Sequence, residues 1–194
     1  MEAIQASDQQ NEQHAETCAR AIRVCMGLGL DEPTTMSFFE AGKGFEPEHL
    51  HLHLMMANYL TPKWRGSKEA LHAFAKENFE QHPHGHLVVL PLFAIVEEAL
   101  YYGMTDQSEK EKQVWLRIDY RELSLHLFDQ YSRRSVADSE VLAPIVFNYF
   151  SYVFYQQKRT QLARQALEGM QNHITTYPWS YEGIDSIQML QKLL

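Results

Sequence analysis

The chain has 194 residues, of which 45% are hydrophobic and 22% are charged, a composition typical of a folded globular protein and not of a disordered one. Its 17 Lys and Arg against 25 Asp and Glu give a formal net charge of -8, which argues against general attraction to nucleic acid or to anionic lipid. The length suits one domain, and we predict a single α-helical domain over 1–194, with 1–14 as a frayed N-terminus.

The start of the chain and its cysteines indicate a soluble cytoplasmic protein. The stretch MEAIQASDQQNEQHAET is polar and acidic, whereas a secretory signal is basic and then apolar. The longest apolar run, LVVLPLFAIV at 87–96, is about half the length of a membrane span and contains Pro91. Cys18 and Cys25 fall in one predicted helix, roughly 10 Å apart, which is too far for a disulfide.

The first predicted helix covers AETCARAIRVCMGL, in which apolar residues recur with a helical period and after which Gly27 and Gly29 suit a helix end. Residues 31–47, rich in glycine and proline near their end, are predicted to form a connector with at most one short helical turn. The next stretch, EPEHLHLHLMMANYL at 46–60, has both the alternation of a strand and the spacing of a helix.

A helical wheel decides between these two interpretations of 46–60. At about 100° per residue, one apolar stripe contains Leu52, Met55, Met56 and Tyr59, while the Met55–Ala57 run interrupts the alternation that a strand needs. We therefore predict a helix, on which His49 and His53 lie one turn apart.

The remaining elements are also predicted to be helices. Ser67 is the expected N-cap of KEALHAFAKENFEQH, which HPHGH ends. The apolar HLVVLPLFAIVEEALYYG is predicted to be a central helix that Pro91 starts, kinks or interrupts. Ser108 and Glu111 have capping-box spacing ahead of one long helix through QVWLRIDYRELSLHLFDQYS. Two further helices, EVLAPIVFNYFSYVFYQQ and QLARQALEGMQNHI, bring the expected number to about eight.

Two resemblances support a helical-hairpin fold. The positions that carry the first are Phe147, Phe150, Ser151, Phe154, Ala163 and Leu167, and their spacing resembles a tetratricopeptide helix-turn-helix. Met170 and the late Pro178 depart from that pattern. YLTPKWRGSKEALHAFAKE is similar to uncharacterised bacterial helical-repeat proteins with a Trp-x-Gly-Ser turn. These resemblances imply antiparallel hairpins stacked as a short tetratricopeptide-like solenoid or an irregular bundle, with a concave face for a partner.

The candidate binding residues are Tyr149, Tyr152 and Tyr155, which share one face of a predicted helix because they are spaced by three. Tyrosine is enriched in protein interfaces. We therefore predict a non-catalytic protein-binding module without a cofactor, in which a basic partner would suit the acidic chain. For Glu97 and Glu98 we expect a solvated or salt-bridged surface position.

Two alternatives remain open on the sequence alone. A small acidic chain also suits a cytoplasmic inhibitor, such as an immunity protein that masks a basic toxin. Alternatively, His49 and His53 have the spacing of two metal ligands on one helix, with His82, His84 and His86 as further candidates, which would suit a metal-dependent helical enzyme. Against this second alternative, HExxH is absent.

Overall fold

A computed structural model of the chain describes residues 2–133, 141–170 and 173–182. Within these ranges the regular secondary structure consists of nine α-helices and two 3-10 helices, with no strand. The all-α prediction is confirmed. Two compact units, 1–90 and 91–194, are each described on their own. The prediction of a single domain stays a prediction, as does the fraying of 1–14.

The first unit is built around a long N-terminal helix. Its elements are α1 (Glu2–Leu28), α2 (Glu32–Phe45), α3 (Leu50–Tyr59), α4 (Lys68–Gln81) and a 3-10 helix (His86–Val88). Helix α1 packs against both α2 and α3, and α4 packs against α3. Ala15, Ala19 and Ile22 of α1 are fully buried, so small side chains let the neighbouring helices approach closely.

Helix α2 corrects the prediction of a connector over 31–47. The Asp31 carboxylate caps the helix by accepting a hydrogen bond from the Thr34 N–H at 3.0 Å, and Pro33 lies in the first turn, where no N–H is needed. Gly42 is buried where an added Cβ would contact the Leu52 side chain. Proline and glycine, which suggested a break, therefore start this helix and let it pack.

Helix α3 confirms the helical interpretation of the histidine-rich stretch. Leu52 and Met56 are fully buried, as the predicted apolar stripe requires. His49 is the N-cap, and its Nδ1 accepts a hydrogen bond from the Leu52 N–H at 3.2 Å.

The Trp-x-Gly-Ser turn joins α3 to α4 and has a simple physical basis. The Thr61 carbonyl accepts hydrogen bonds from the N–H groups of Trp64 and Gly66, at 3.0 and 3.2 Å. A Cβ on Gly66 would collide with the Leu60 carbonyl, so only glycine fits there. The Ser67 hydroxyl then accepts a hydrogen bond from the Ala70 N–H at 3.0 Å, which confirms it as the N-cap of α4.

The second unit contains the aromatic part of the sequence. Its elements are α5 (Val89–Met104), α6 (Ser108–Leu116), α7 (Ile118–Ser132), α8 (Ala143–Gln156), α9 (Thr160–Glu168) and a 3-10 helix (Trp179–Glu182). The first two residues of α5 belong to the first unit, because the second unit begins at Pro91. The predicted long helix from 108 is two helices that break at Arg117. The predicted cap is also wrong, because Gln107 is the N-cap of α6 and makes no side-chain cap hydrogen bond.

Pro91 lies in the first turn of α5, so it starts the helix, which is one of the three possibilities that the sequence left open. Among the described residues, one helical stretch, His86–Met104, has the length and hydropathy to cross a membrane, and 72% of its most apolar window is buried inside the protein. The core helix of a globular protein has these same properties.

Helices α8 and α9 form a closely packed hairpin. The Ser151 hydroxyl donates a hydrogen bond to the Ala163 carbonyl at 3.0 Å, and Ala163 and Ala166 are fully buried. A Cβ on Gly169 would contact the Phe147 ring. The small residues thus lie where the two helices are closest. Membership of the tetratricopeptide class stays a prediction.

Candidate functional site

The three predicted binding tyrosines share one face of α8 but do not form an open surface. Tyr149 and Tyr152 are 3% and 1% exposed, and Tyr155 is half-buried. The opposite face of α8 packs on α7 through Phe128, whose ring lies 5.2 Å from those of Phe150 and Phe154. Tyr149 and Tyr152 are therefore buried within the chain, and the role of the three tyrosines in partner binding stays a prediction.

The chain's own residues cover this face. Segment 173–182 runs without regular structure to Thr175, turns at 176–178 with a cis Tyr177–Pro178 bond, and ends in the 3-10 helix. The Trp179 ring lies 5.2 Å from the Tyr152 ring and 5.6 Å from the Tyr155 ring. The Tyr177 ring lies 5.4 Å from the Tyr149 ring. The segment therefore places one aromatic side chain near each end of the tyrosine face.

Asn148 of α8 holds the backbone of this segment from a fully buried position. Its side-chain amide donates to the His173 carbonyl at 3.3 Å, and its side-chain carbonyl accepts from the Thr175 N–H at 3.3 Å. The same amide also donates to the Pro144 carbonyl at 2.7 Å, which fixes its orientation. Asn148 thus satisfies the backbone of a segment that has no secondary-structure partner there.

Glu97 of α5 holds the other part of the segment. The Tyr177 hydroxyl donates to a Glu97 carboxylate oxygen at 2.9 Å, across 80 positions of sequence. Burial, together with the nearby Tyr149 and Glu97, raises the pKa of Tyr177 well above its usual value, so its hydroxyl remains a donor at neutral pH. Burial likewise raises the pKa of Tyr149.

Glu98, the next residue, faces a different helix. Its carboxylate accepts a hydrogen bond from the Tyr120 hydroxyl of α7 at 2.6 Å and lies 3.7 Å from the Arg117 guanidinium. That guanidinium stacks 3.8 Å above the Tyr120 ring. Glu97 and Glu98 are only 4% and 7% exposed, so the expected solvated position is wrong, although the salt bridge to Arg117 exists.

These contacts define a groove on the second unit, which we call the α5–α8 groove. Its walls are Phe93 and Glu97 of α5 and the α8 side chains Asn148, Tyr149, Tyr152 and Tyr155. Sequence reasoning found the tyrosines but missed Asn148 and Glu97. One signal was available: a single asparagine in an otherwise apolar and aromatic run favours a buried hydrogen-bonding role.

The two histidines of the predicted metal pair, His49 and His53, lie at the N-cap and in the first turn of α3. His53 is fully buried, and its Nδ1 lies 3.0 Å from the His49 carbonyl, so Nδ1 carries the proton of the neutral ring. Burial lowers the pKa of His53 to about 4 and also lowers that of His49. Within the described ranges, no three His, Cys, Asp or Glu side chains are grouped to hold a metal ion.

A carboxylate of α1, that of Glu16, contacts two histidines at the start of α3. The His51 Nδ1 is 2.7 Å from a Glu16 carboxylate oxygen, and the His49 Nε2 is 4.0 Å from the same oxygen. Burial acts to raise the pKa of Glu16, but the hydrogen bonds from His51 and Arg20 outweigh it and lower that pKa. His82 interacts separately with Glu48, at 3.2 Å. Glu16 and Glu48 thus contact separate histidines, Glu16 those of α3 and Glu48 the one that follows α4.

Comparisons of this chain with models of protein families, with curated proteins and with solved structures found no match in any of the three.

Proposed function

We propose that the protein is a non-catalytic binding module that holds a segment of a partner protein in the α5–α8 groove. The observation that carries this proposal is the pair of contacts from Asn148 to the backbone at His173 and Thr175. Backbone hydrogen bonds give affinity for any chain of suitable shape, and adjacent aromatic contacts add selectivity. The groove of this protein supplies both.

The groove also has the residue types on which protein interfaces depend. Tyrosine and tryptophan provide large rigid contact areas, and at the rim the tyrosine hydroxyl and the tryptophan N–H form hydrogen bonds with water or with a partner. Tyr155 is the member of the predicted trio that keeps part of its surface exposed. It is therefore the residue whose loss tests partner contact without removing a core side chain.

The test is affinity capture from the native cell extract with the wild-type chain, with Tyr155→Ala and with the control Tyr101→Ala, a half-buried tyrosine near the end of α5. We expect the wild type and Tyr101→Ala to retain the same partner, and Tyr155→Ala to retain at least about fivefold less of it, because removing an interface aromatic typically costs more than 1 kcal/mol. Equal capture by Tyr155→Ala, or no partner with the wild type, would contradict the proposal.

A further inference from the structure

We infer that segment 173–182 is a ligand that the chain holds in its own α5–α8 groove, and that the partner carries a segment of the same chemistry, aromatic–proline–aromatic, which replaces it. This inference rests on the proposed function and adds the class of ligand and its regulation. Three sets of contacts support it. Asn148 binds backbone atoms at His173 and Thr175. Glu97 binds the Tyr177 hydroxyl, and the rings of Tyr152 and Tyr155 lie against Trp179.

The way in which the segment is held distinguishes it from the helical part of the second unit. Helix α8 packs against both α7 and α9, whereas the described hydrogen bonds between 173–175 and α8 all involve one side chain, that of Asn148. Both of those hydrogen bonds are 3.3 Å long, near the upper limit for such bonds. The rest of the segment is held by the Tyr177–Glu97 hydrogen bond and by the rings of Tyr177 and Trp179. All of these are side-chain contacts, so release of the segment would leave the backbone hydrogen bonds of the helices intact.

The fit of Trp179 is also incomplete. The ring is 1% exposed, yet its indole N–H has no hydrogen-bond acceptor within the described ranges. A buried donor without an acceptor costs free energy, so the segment binds less tightly than its buried area suggests. A partner with phenylalanine at this position would have no such donor to satisfy. The chain's own segment is thus a ligand that a competitor can displace.

The consequence is autoinhibition by occupancy. A competing segment binds only while the groove is open, so its apparent affinity is reduced by the fraction of time for which 173–182 is released. Any change that weakens the hold on 173–182, without altering the groove, should strengthen binding of a segment added in solution. This relation gives the inference a quantitative test.

The probe is a fluorescein-labelled synthetic peptide of residues 173–182, HITTYPWSYE, and the measurement is its fluorescence anisotropy with the full-length chain. Tyr177→Phe in the protein removes the hydroxyl that Glu97 binds but keeps the ring, so the peptide should bind this variant about tenfold more tightly than the wild type. Tyr181→Phe is the matched control, since its hydroxyl has no described hydrogen bond, and it should bind like the wild type. Equal affinity of Tyr177→Phe and the wild type overturns the inference.

A second measurement uses the unaltered protein. In ¹⁵N-labelled wild type, the three indole signals of Trp64, Trp115 and Trp179 are followed by NMR during titration with unlabelled peptide. We expect the Trp179 signal, assigned with Trp179→Phe, to move to the position of a solvent-exposed indole as the peptide takes its place. No change at peptide concentrations that saturate Tyr177→Phe would show that 173–182 is a fixed part of the core, and the inference would be wrong.

The two proposals fail separately. If the peptide binds no variant but Tyr155→Ala still loses the captured partner, the groove binds a partner of other chemistry, so this inference fails and the proposed function stands. If the peptide binds as expected and no partner is captured, the groove is a site for the chain's own segment alone, so the proposed function fails.

Discussion

Single residues decide several local structures in this protein, and Gly66 is the clearest of them. Its position in the turn between α3 and α4 brings the backbone against the Leu60 carbonyl, with no room for a Cβ. The same turn places Thr61 in the core and Ser67 at the start of α4. One glycine thus supports both neighbouring helices.

Gly66→Ala should therefore lower the free energy of unfolding by about 1–3 kcal/mol, because the turn must move to accommodate the methyl group. The matched control is Gly44→Ala in α2, where nothing lies within 4 Å of an added Cβ. That substitution should be neutral or stabilise by up to about 1 kcal/mol, as alanine does in a helix. Urea-unfolding midpoints of the two variants provide the comparison, and equal midpoints would show that the turn does not need glycine.

At the scale of elements, the hairpin of α8 and α9 depends on small side chains at its closest approach. Ala163→Trp should overpack this contact, since Ala163 is fully buried and its carbonyl accepts the Ser151 hydrogen bond. We expect a loss of at least about 3 kcal/mol or failure to fold. Gln165→Trp, at an exposed position of the same helix, is the control and should leave the melting temperature nearly unchanged. An unaltered melting temperature for Ala163→Trp would contradict the described packing.

Much of the helical pattern could be predicted from sequence, and the exceptions have physical causes. The α3 stripe, the Ser67 cap and the α8–α9 contact follow from local spacing, which sequence displays directly. Helix α2 was missed because its proline and glycine have roles that depend on position and on neighbours. The break at Arg117 was missed because neither glycine nor proline marks it. Instead, the Arg117 guanidinium donates a hydrogen bond to the Asp119 carboxylate at 2.6 Å and forms a salt bridge with Glu98.

The candidate site was predictable only in part. The tyrosines of α8 were found because three-residue spacing places them on one face. Their burial comes from Phe93 against Tyr149, from Trp115 against Tyr152 and from 173–182. These contacts are distant in sequence, as is the contact of Tyr177 with Glu97 across 80 positions, and no local pattern contains them. Long-range packing therefore determines that the face with these tyrosines is occupied by the chain's own residues.

At the scale of the whole molecule, titratable groups are unequally distributed. Eight of the ten histidines belong to the first unit, namely His14, His49, His51, His53, His72, His82, His84 and His86. Of these, His53 is fully buried with its pKa lowered to about 4 by burial. In the unfolded chain a histidine titrates near pH 6.5. The first unit should therefore be the more sensitive to acid.

The direction in which stability changes with pH follows from proton binding. Below about pH 6.5 the unfolded chain binds a proton at His53, whereas the folded chain binds it only below about pH 4. The contribution of neutral His53 to stability is therefore fully present above about pH 6.5 and is lost as the pH falls from about 6.5 to about 4. At pH 5 the loss from His53 should be about 2 kcal/mol. Urea unfolding at pH 7.5 and 5 measures it, and His53→Phe should lose correspondingly less, whereas the exposed His126→Phe should behave like the wild type.

Hydrogen exchange at the two pH values, corrected for intrinsic rates, locates the effect. Amides of α3 and α4, which surround His53, should lose more protection at pH 5 than those of α8. A uniform loss over both units, or a pH dependence that survives in His53→Phe, would show that other groups control acid stability.

The backbone contacts of Asn148 bear on how this protein would change over evolutionary time. Asn148 binds the segment through the carbonyl of His173 and the N–H of Thr175, which places no demand on the side chains at those positions. Selection would then act on Asn148, Glu97 and the two aromatic residues around Pro178, while the residues between them drift. Descendants of a common ancestor could keep the same groove and the same ligand with few identical positions, so kinship would be recognised by the spacing of these anchors and not by overall identity.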